Sequence, residues 1–431
     1  MKPFWLCLAG KFHDQGLKRK TGSALREDQA GLARCREALQ PKNHLVYPAA
    51  CDPVHPVFPM NRAHCKVFHA FPLLCLAFPL FAELPNIEDW RQDFVLETKR
   101  IEIPDFPSAF NPSIVQWNGY ILMSFRLIPD PHFPYTSVLG LVLLDENFDP
   151  ISNPQLFSMR EPTSPVPSRV EDARLFYVGE NLYIAYSDNP NLQINKAGFR
   201  MEIGQIHYEH GLFSIRNVQR LTDYEGESPL LREKSWVPFD YQGNLLLAYS
   251  LKPHLIFHPI PETNHCDTVV STDPWIDWNW GIIRGGTPAL LLDTGEYLAF
   301  FHSVKKMETV HSKGKEVSHY FMGAYKFSAE FPFQITAFSS EPIVGKGFYS
   351  GKAYKPYWGS IQCVFPAGLI LDGDTIYISY GRQDHEIWIA KLDKSKLLSS
   401  LSSVSGISYL QSQPQVFSGL GAQRPQSSLD E

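Results

Sequence analysis

Six short clusters along the chain carry the residue types that acid–base and anion chemistry need. Phe110-Asn111-Pro112-Ser113 leads to Arg126, and Glu171-Asp172-Ala173-Arg174 follows. Lys234 stands in REKSWVP (232–238), Trp280 in WNWG (278–281), and RGGTP (284–288) leads to His302. VFPAG (364–368) leads to GRQD (381–384), with Arg382 and Asp384. Asp172 and Asp384, with Glu171 beside the first, are carboxyl groups of the kind that donate a proton or hold sugar hydroxyls. A proton donor needs a raised pKa, which burial provides. Arg126, Arg174, Lys234, Arg284 and His302 are cations for an anion, most simply phosphate, because Arg grips bidentately and Lys acts as a point charge. Taken singly, each residue also has a plain structural reading as an ion pair, a hydrogen-bonded His or a turn. In an extended segment residues two apart share a face, so Asp172 and Arg174 are expected to enter one pocket and Glu171 to point away. An arginine that near pulls a carboxyl pKa down, and burial or a relay through a sugar hydroxyl has to offset it.

What positions these groups is a repeat. Five times a Gly-bearing turn opens into a short apolar strand ending in an aromatic: 117–126, 177–188, 241–251, 293–303 and 371–382. The turn glycines are Gly119, Gly179, Gly243, Gly295 and Gly373, spaced 60, 64, 52 and 78 residues apart. A recurring turn and strand with β-rich sequence between them predicts an all-β, five-bladed β-propeller, with a sandwich or two packed sheets as the alternative. The chemical clusters fall just before each repeated strand or at its end. Superposed repeats would therefore gather them at one mouth of the central channel, in a concave site. Asp188, at the end of the second repeat strand, belongs to the same series.

Composition bounds the rest. A net charge of −6 and a pI near 6.2 leave no electrostatic footprint for nucleic acid. Aromatics make up 13 % of the chain, and any surplus in loops would suit stacking on sugar rings. Residues 1–59 show no sustained period and are not expected in the mature protein. Met60 is the expected true start. Arg62 and Lys66 precede an apolar run (67–82), which predicts a signal peptide over 60–82 and a mature chain from near Glu83. The expected location is then secreted or periplasmic, with no membrane attachment after cleavage, or cytoplasmic if 60–82 is not a signal. Cys7, Cys35, Cys51, Cys65 and Cys75 all precede that point, while Cys266 and Cys363 either pair or are two buried thiols. No CxxC or HxxxH spacing argues for a metal. The folded body is expected over 90–395, with 304–317 as an extended hairpin loop and 396–431 as a Ser-rich disordered tail.

The order FNP, SFR, RVEDARLF, EKSWVPF, RGGTPA with FFHS, and VFPAG with SYGRQD resembles the five-bladed β-mannoside phosphorylases of glycoside hydrolase family 130 over about 106–392. The resemblance implies an inverting reaction in which an acid protonates the glycosidic oxygen, directly or through a sugar hydroxyl. Phosphate then attacks the anomeric carbon of mannose from the opposite face. It implies Asp172 as the acid, and Arg126, Arg174, Lys234 and His302 as phosphate ligands. Asn111 and Asp384 would hold mannose hydroxyls; Glu171 and Trp280 are added as further substrate-binding candidates on their place in the clusters. No cofactor is implied beyond inorganic phosphate as co-substrate; the partners are a mannoside and phosphate or a sugar phosphate. The chain has EDAR, FHS and YGRQD where the family has EDPR, YHG and YGAAD, and the last change places Arg382 near the expected site. These departures resemble the related β-1,2-mannosyltransferases. Alternatives on the same scaffold are a hydrolase, with Glu171, Asp188 or Asp384 as base, and a non-catalytic sugar-binding propeller.

Overall fold

The computed structural model describes residues 83–431 apart from 161–163, 165, 190–197, 229–231, 352–358, 406 and 413–431. The expected signal peptide, the early cysteines and the end of the tail lie outside the described residues.

After a 3-10 turn at Ile87–Trp90, strand β1 spans Val95–Ile101. The first blade holds β2 (Phe110–Trp117), β3 (Tyr120–Leu127), β4 (Val138–Leu144) and β5 (Gln155–Phe157). The second holds β6 (Glu171–Val178), β7 (Asn181–Asp188), β8 (Arg200–Glu209) and β9 (Leu212–Arg220). The third is built from β10 (Val237–Tyr241), β11 (Asn244–Leu251), β12 (His254–Pro259) and β13 (Cys266–Pro274). The fourth contains β14 (Ile282–Gly285), β15 (Leu290–Leu291), β16 (Glu296–Met307), β17 (Val317–Ser328) and β18 (Ile335–Phe338). The fifth contains β19 (Val364–Asp372), β20 (Thr375–Arg382) and β21 (Glu386–Asp393), and β1 pairs antiparallel with β21 to complete it. Five sheets form a five-bladed β-propeller, and the ring is closed by strands from both ends of the folded body.

The turn glycines sit where the inner strand of each blade doubles back. In the first, Trp117 pairs with Tyr120 across Asn118 and Gly119, both at positive φ, a two-residue turn matched to strand twist. Inner strands run from one face of the ring toward these turns, and the second strands return. Strand starts such as Phe110 and Glu171 therefore share a face with strand ends such as Arg126 and Arg382. That is why clusters distant in sequence converge.

Burial explains the apolar runs. β3 and β20 are buried along most of their length, because each sheet is covered by a neighbour on both faces. Apolar clusters fill the gaps between adjacent blades. Leu122, Leu175 and Tyr186 pack between the first and second blades; Met123, Phe125, Ile370 and Ile389 pack between the fifth and first. Truncating one such side chain to Ala costs about 2–5 kcal/mol.

The sequence-based limit at 395 is too short. Helix α1 (Lys394–Ser400) follows, its first turn capped by the Asp393 side chain and its Leu397 fully buried. Strands β22 (Ser402–Ser403) and β23 (Ile407–Ser412) then add to the outer edges of the fourth and third blades. Exposed sheet edges accept an extra strand readily, and this segment uses two of them. Segment 304–317 is the tip of a long β16–β17 hairpin, as expected, though both strands run further into it. Cys266 and Cys363 are free and buried.

Candidate functional site

β-Bulges set the geometry of the site. In β2, Phe110 pairs with Arg126 but Ser113 with Ser124, so one extra residue is accommodated. In β6 the same slip occurs: Glu171 pairs with Ser187 and Arg174 with Ala185. The residues at the slip, Asn111 and Asp172, have φ of 48° and 56°. A bulge re-aims side chains and breaks the alternation of faces. The expectation that Glu171 points away from Asp172 is therefore corrected, because both carboxylates enter one pocket.

There Arg126 Nη2 donates to Glu171 Oε1 at 3.0 Å and Nη1 lies 3.8 Å from Asp172 Oδ1. Lys234 touches Glu171 Oε2 and lies 3.6 Å from Asp172 Oδ2. Arg232 reaches Glu171 Oε2 at 3.5 Å. Asn111 Nδ2 donates to Asp172 Oδ1 at 2.9 Å, while its buried Oδ1 has no hydrogen-bond partner among the described residues. Arg232 and Lys234 both lie over the Phe199 ring, and Arg126 lies over Phe110. Burial, with Arg126 and Arg284 nearby, pushes Lys234 well below the ordinary lysine range, opposed by the charge of Asp384. Asp384 has φ 49° and accepts from Cys363 Sγ at 3.9 Å; its charge also acts on Arg232 and Tyr320.

Arg174 is fully buried, and burial lowers it to about 10, so it stays charged near neutrality. Its Nε donates to the Gly286 carbonyl and Nη1 to the carbonyl of Asp172 itself, and its plane faces Phe365. Arg174 thus clamps the bulge that aims the acid. Its Nη2 has no partner among the described residues.

Four expectations change. His302, expected as a cation, is pushed down to about 3 by burial and by Arg174 and Arg284. It is a neutral ring between Phe365 and Tyr320, able to offer an N–H but no charge. Trp280 does not join the carboxylates. It packs on Trp90 and Phe321, and its Nε1 donates to Glu341 at 3.0 Å. Asp188 is likewise engaged elsewhere, by Arg160 and the amide of Arg169. Arg382 is bound to Glu386 and the carbonyl of Ser350.

Asp172, Glu171, Asn111, Arg126, Lys234 and Asp384 therefore come together as the repeat pattern required. Sequence reasoning passed over Arg232, Tyr320 and Phe199. Arg232 lies two residues before Lys234, a spacing that could have signalled it. Tyr320 belongs to the strand paired with that of His302, and nothing in the sequence marks it. The ring of contacts can protonate a leaving oxygen, bind hydroxyls and hold an anion.

A cavity of about 720 Å³ lies elsewhere. Ile114, Phe176, Phe239 and Ile370 are among its apolar lining residues, near the glycine turns. The clamp at Arg174 and Gly286 separates those residues along the strands from the carboxylates.

A family model described as β-1,4-mannooligosaccharide phosphorylase matches residues 88–403. One similar solved structure bears the description "The GH130 family of mannoside phosphorylases contains glycoside hydrolases that target beta-1,2 mannosidic linkages in Candida mannan". It is 16% identical, has a TM-score of 0.50, and the match covers 75% of this chain and 96% of that one. A glycosyl hydrolase from Bacteroides ovatus is 15% identical with a TM-score of 0.49, covering 76% and 96%. A mannose phosphorylase from Leishmania mexicana in complex with phosphate ion is 11% identical with a TM-score of 0.47, covering 75% and 95%. No curated protein matches the chain.

Proposed function

The chain belongs to glycoside hydrolase family 130, and from that premise we propose that it cleaves or forms a β-mannosidic bond with inversion. In this reading Asp172 gives its proton to the glycosidic oxygen, directly or through a sugar hydroxyl, as the bond from that oxygen to the anomeric carbon breaks. A phosphate oxygen bonds to the same carbon from the opposite face, and the products are mannose 1-phosphate and the shortened sugar. A proton from phosphate or solvent restores the acid. Asn111 and Asp384 hold mannose hydroxyls.

The observation that carries phosphate as the nucleophile is charge. Arg126, Arg174, Arg232, Lys234 and Arg284 stand against Glu171, Asp172 and Asp384, an excess of two positive charges when all are ionised. Arg284 is exposed beside His302 and Lys234, with no ion pair or hydrogen bond from its side chain among the described residues. A phosphate dianion matches that excess.

A hydrolase is the second reading, and one feature favours it. The bulge turns Glu171 to the same side as Asp172, supplying the second carboxylate that activation of water needs. Incubation with β-1,2- and β-1,4-mannooligosaccharides, with and without phosphate, separates the two. Phosphate-dependent release of mannose 1-phosphate is expected. Free mannose irrespective of phosphate would favour the hydrolase, and no release from any substrate would remove both.

A further inference from the structure

The segment joining β3 to β4, residues 128–137, starts two residues after Arg126 and ends one residue before the start of β4. Its feet are buried: Ile128 is 2% exposed and Ser137 1%. Ser137 Oγ donates to the carbonyl of Val170 at 2.6 Å and its amide to Ser168 at 2.9 Å. Val170 directly precedes Glu171, so the Ser137 foot is bonded to the wall that carries the acid.

The tip is the reverse. Phe133 is 64% exposed and Tyr135 57%. Apolar rings left in water on a floppy loop would need no explanation, but this backbone is fixed. The Phe133 amide donates to Asp130 O at 3.0 Å, and the Phe133 carbonyl accepts from Thr136 N at 3.0 Å and Thr136 Oγ1 at 2.9 Å. The Asp130 carboxylate accepts from the His132 amide at 2.8 Å. Pro129, Pro131 and Pro134 restrict the chain further. Two rings are therefore presented to solvent in a preset arrangement, at little entropic cost to whatever binds them.

We infer that Phe133 and Tyr135 form a stacking platform for sugar units on the leaving-group side of the scissile bond, selecting oligosaccharides over disaccharides. This rests on the mannoside reading above. The side follows from the chemistry: a general acid lies where the leaving oxygen departs, while the nucleophile approaches the opposite face. Tyr135 is two residues from Ser137, within about 7 Å along the chain, and Ser137 is bonded two residues before Asp172. The platform thus continues the acid's wall outward. The C–H face of a pyranose is weakly positive and packs on the negative face of an aromatic ring, and the tyrosine hydroxyl can stay wet.

The test uses the Asp172→Asn protein, so that sugars bind without being consumed, and calorimetric titration with β-mannobiose and β-mannopentaose in both linkages. The pentaose should bind about tenfold more tightly than the biose in one linkage series, the scale of one or two aromatic contacts. Phe133→Ala with Tyr135→Ala should erase that gain and leave biose affinity unchanged. A pentaose advantage that is missing, or that survives the double substitution, overturns the platform while biose binding upholds the mannoside reading. Failure of every mannoside to bind overturns both. Light scattering covers one more outcome: if the double substitution splits an oligomer and leaves both affinities intact, the rings are an interface between copies and the platform is wrong.

Discussion

Glu171 and Asp172 are adjacent in sequence and draw on one set of cations, which decides how each responds to substitution. Asp172→Asn keeps the shape and the hydrogen bond from Asn111 but removes the proton, so turnover should fall at least about a hundredfold with an unaltered melting curve. Near-normal turnover in a folded variant would take the acid role from Asp172. Had Glu171 pointed away, Glu171→Gln would be mild. Instead it leaves Arg126, Arg232 and Lys234 without their shared carboxylate. That variant should lose turnover and also bind phosphate more tightly, because the positive excess grows. The measurement is the rise in melting temperature on adding phosphate, larger in Glu171→Gln than in the parent. An equal or smaller rise would place the anion away from these cations.

The bulges are the element-scale device of the site. Each makes room for one extra residue at the start of an inner strand, and the positive φ at Asn111 and Asp172 turns their side chains into the mouth. Neighbouring elements are shaped to allow it. A Cβ on Gly381 of β20 would lie 1.9 Å from Asn111 Oδ1 and 2.9 Å from Asn111 N. Gly381→Ala should therefore shift Asn111 off Asp172 and cut activity by about tenfold or more, at a stability cost of about 1–3 kcal/mol typical of overpacking. Activity assays beside melting curves decide the point. An alanine variant as active as the parent would show that the Asn111–Asp172 bond is dispensable.

At the scale of the whole molecule, stability rests on apolar packing between blades, with titratable groups sealed in the ring. His254 is fully buried with Nδ1 3.0 Å from the Phe333 carbonyl, and burial lowers it to about 4. His302 is lowered to about 3. Their unfolded values are near 6.5, so below that pH the unfolded chain binds protons that the folded one refuses. Stability is then full above about pH 6.5 and falls as pH drops toward the folded values, by roughly 2 kcal/mol per histidine at about pH 5. Melting temperature should decline between pH 7 and 5, and His254→Gln should flatten part of that decline. A profile flat over this range, or equally steep in the variant, would contradict neutral buried histidines.

The sequence alone determined the blades. A glycine at a tight turn and an apolar strand buried on both faces are local requirements, and local requirements leave a period that can be read. It also determined which clusters share a face, because a strand start and the next strand's end must meet when the chain doubles back. The aim of single side chains was decided only by the folded ring. The alternation of faces in β6 fails at a bulge held by Arg174 from below, so Glu171 joined the site against its local pattern. Trp280 and Arg382 found partners on other elements. His302 lost its charge to burial among cations that the chain brings from three blades. Each of these depends on which distant groups arrive within a few ångströms, and no spacing along the chain records that.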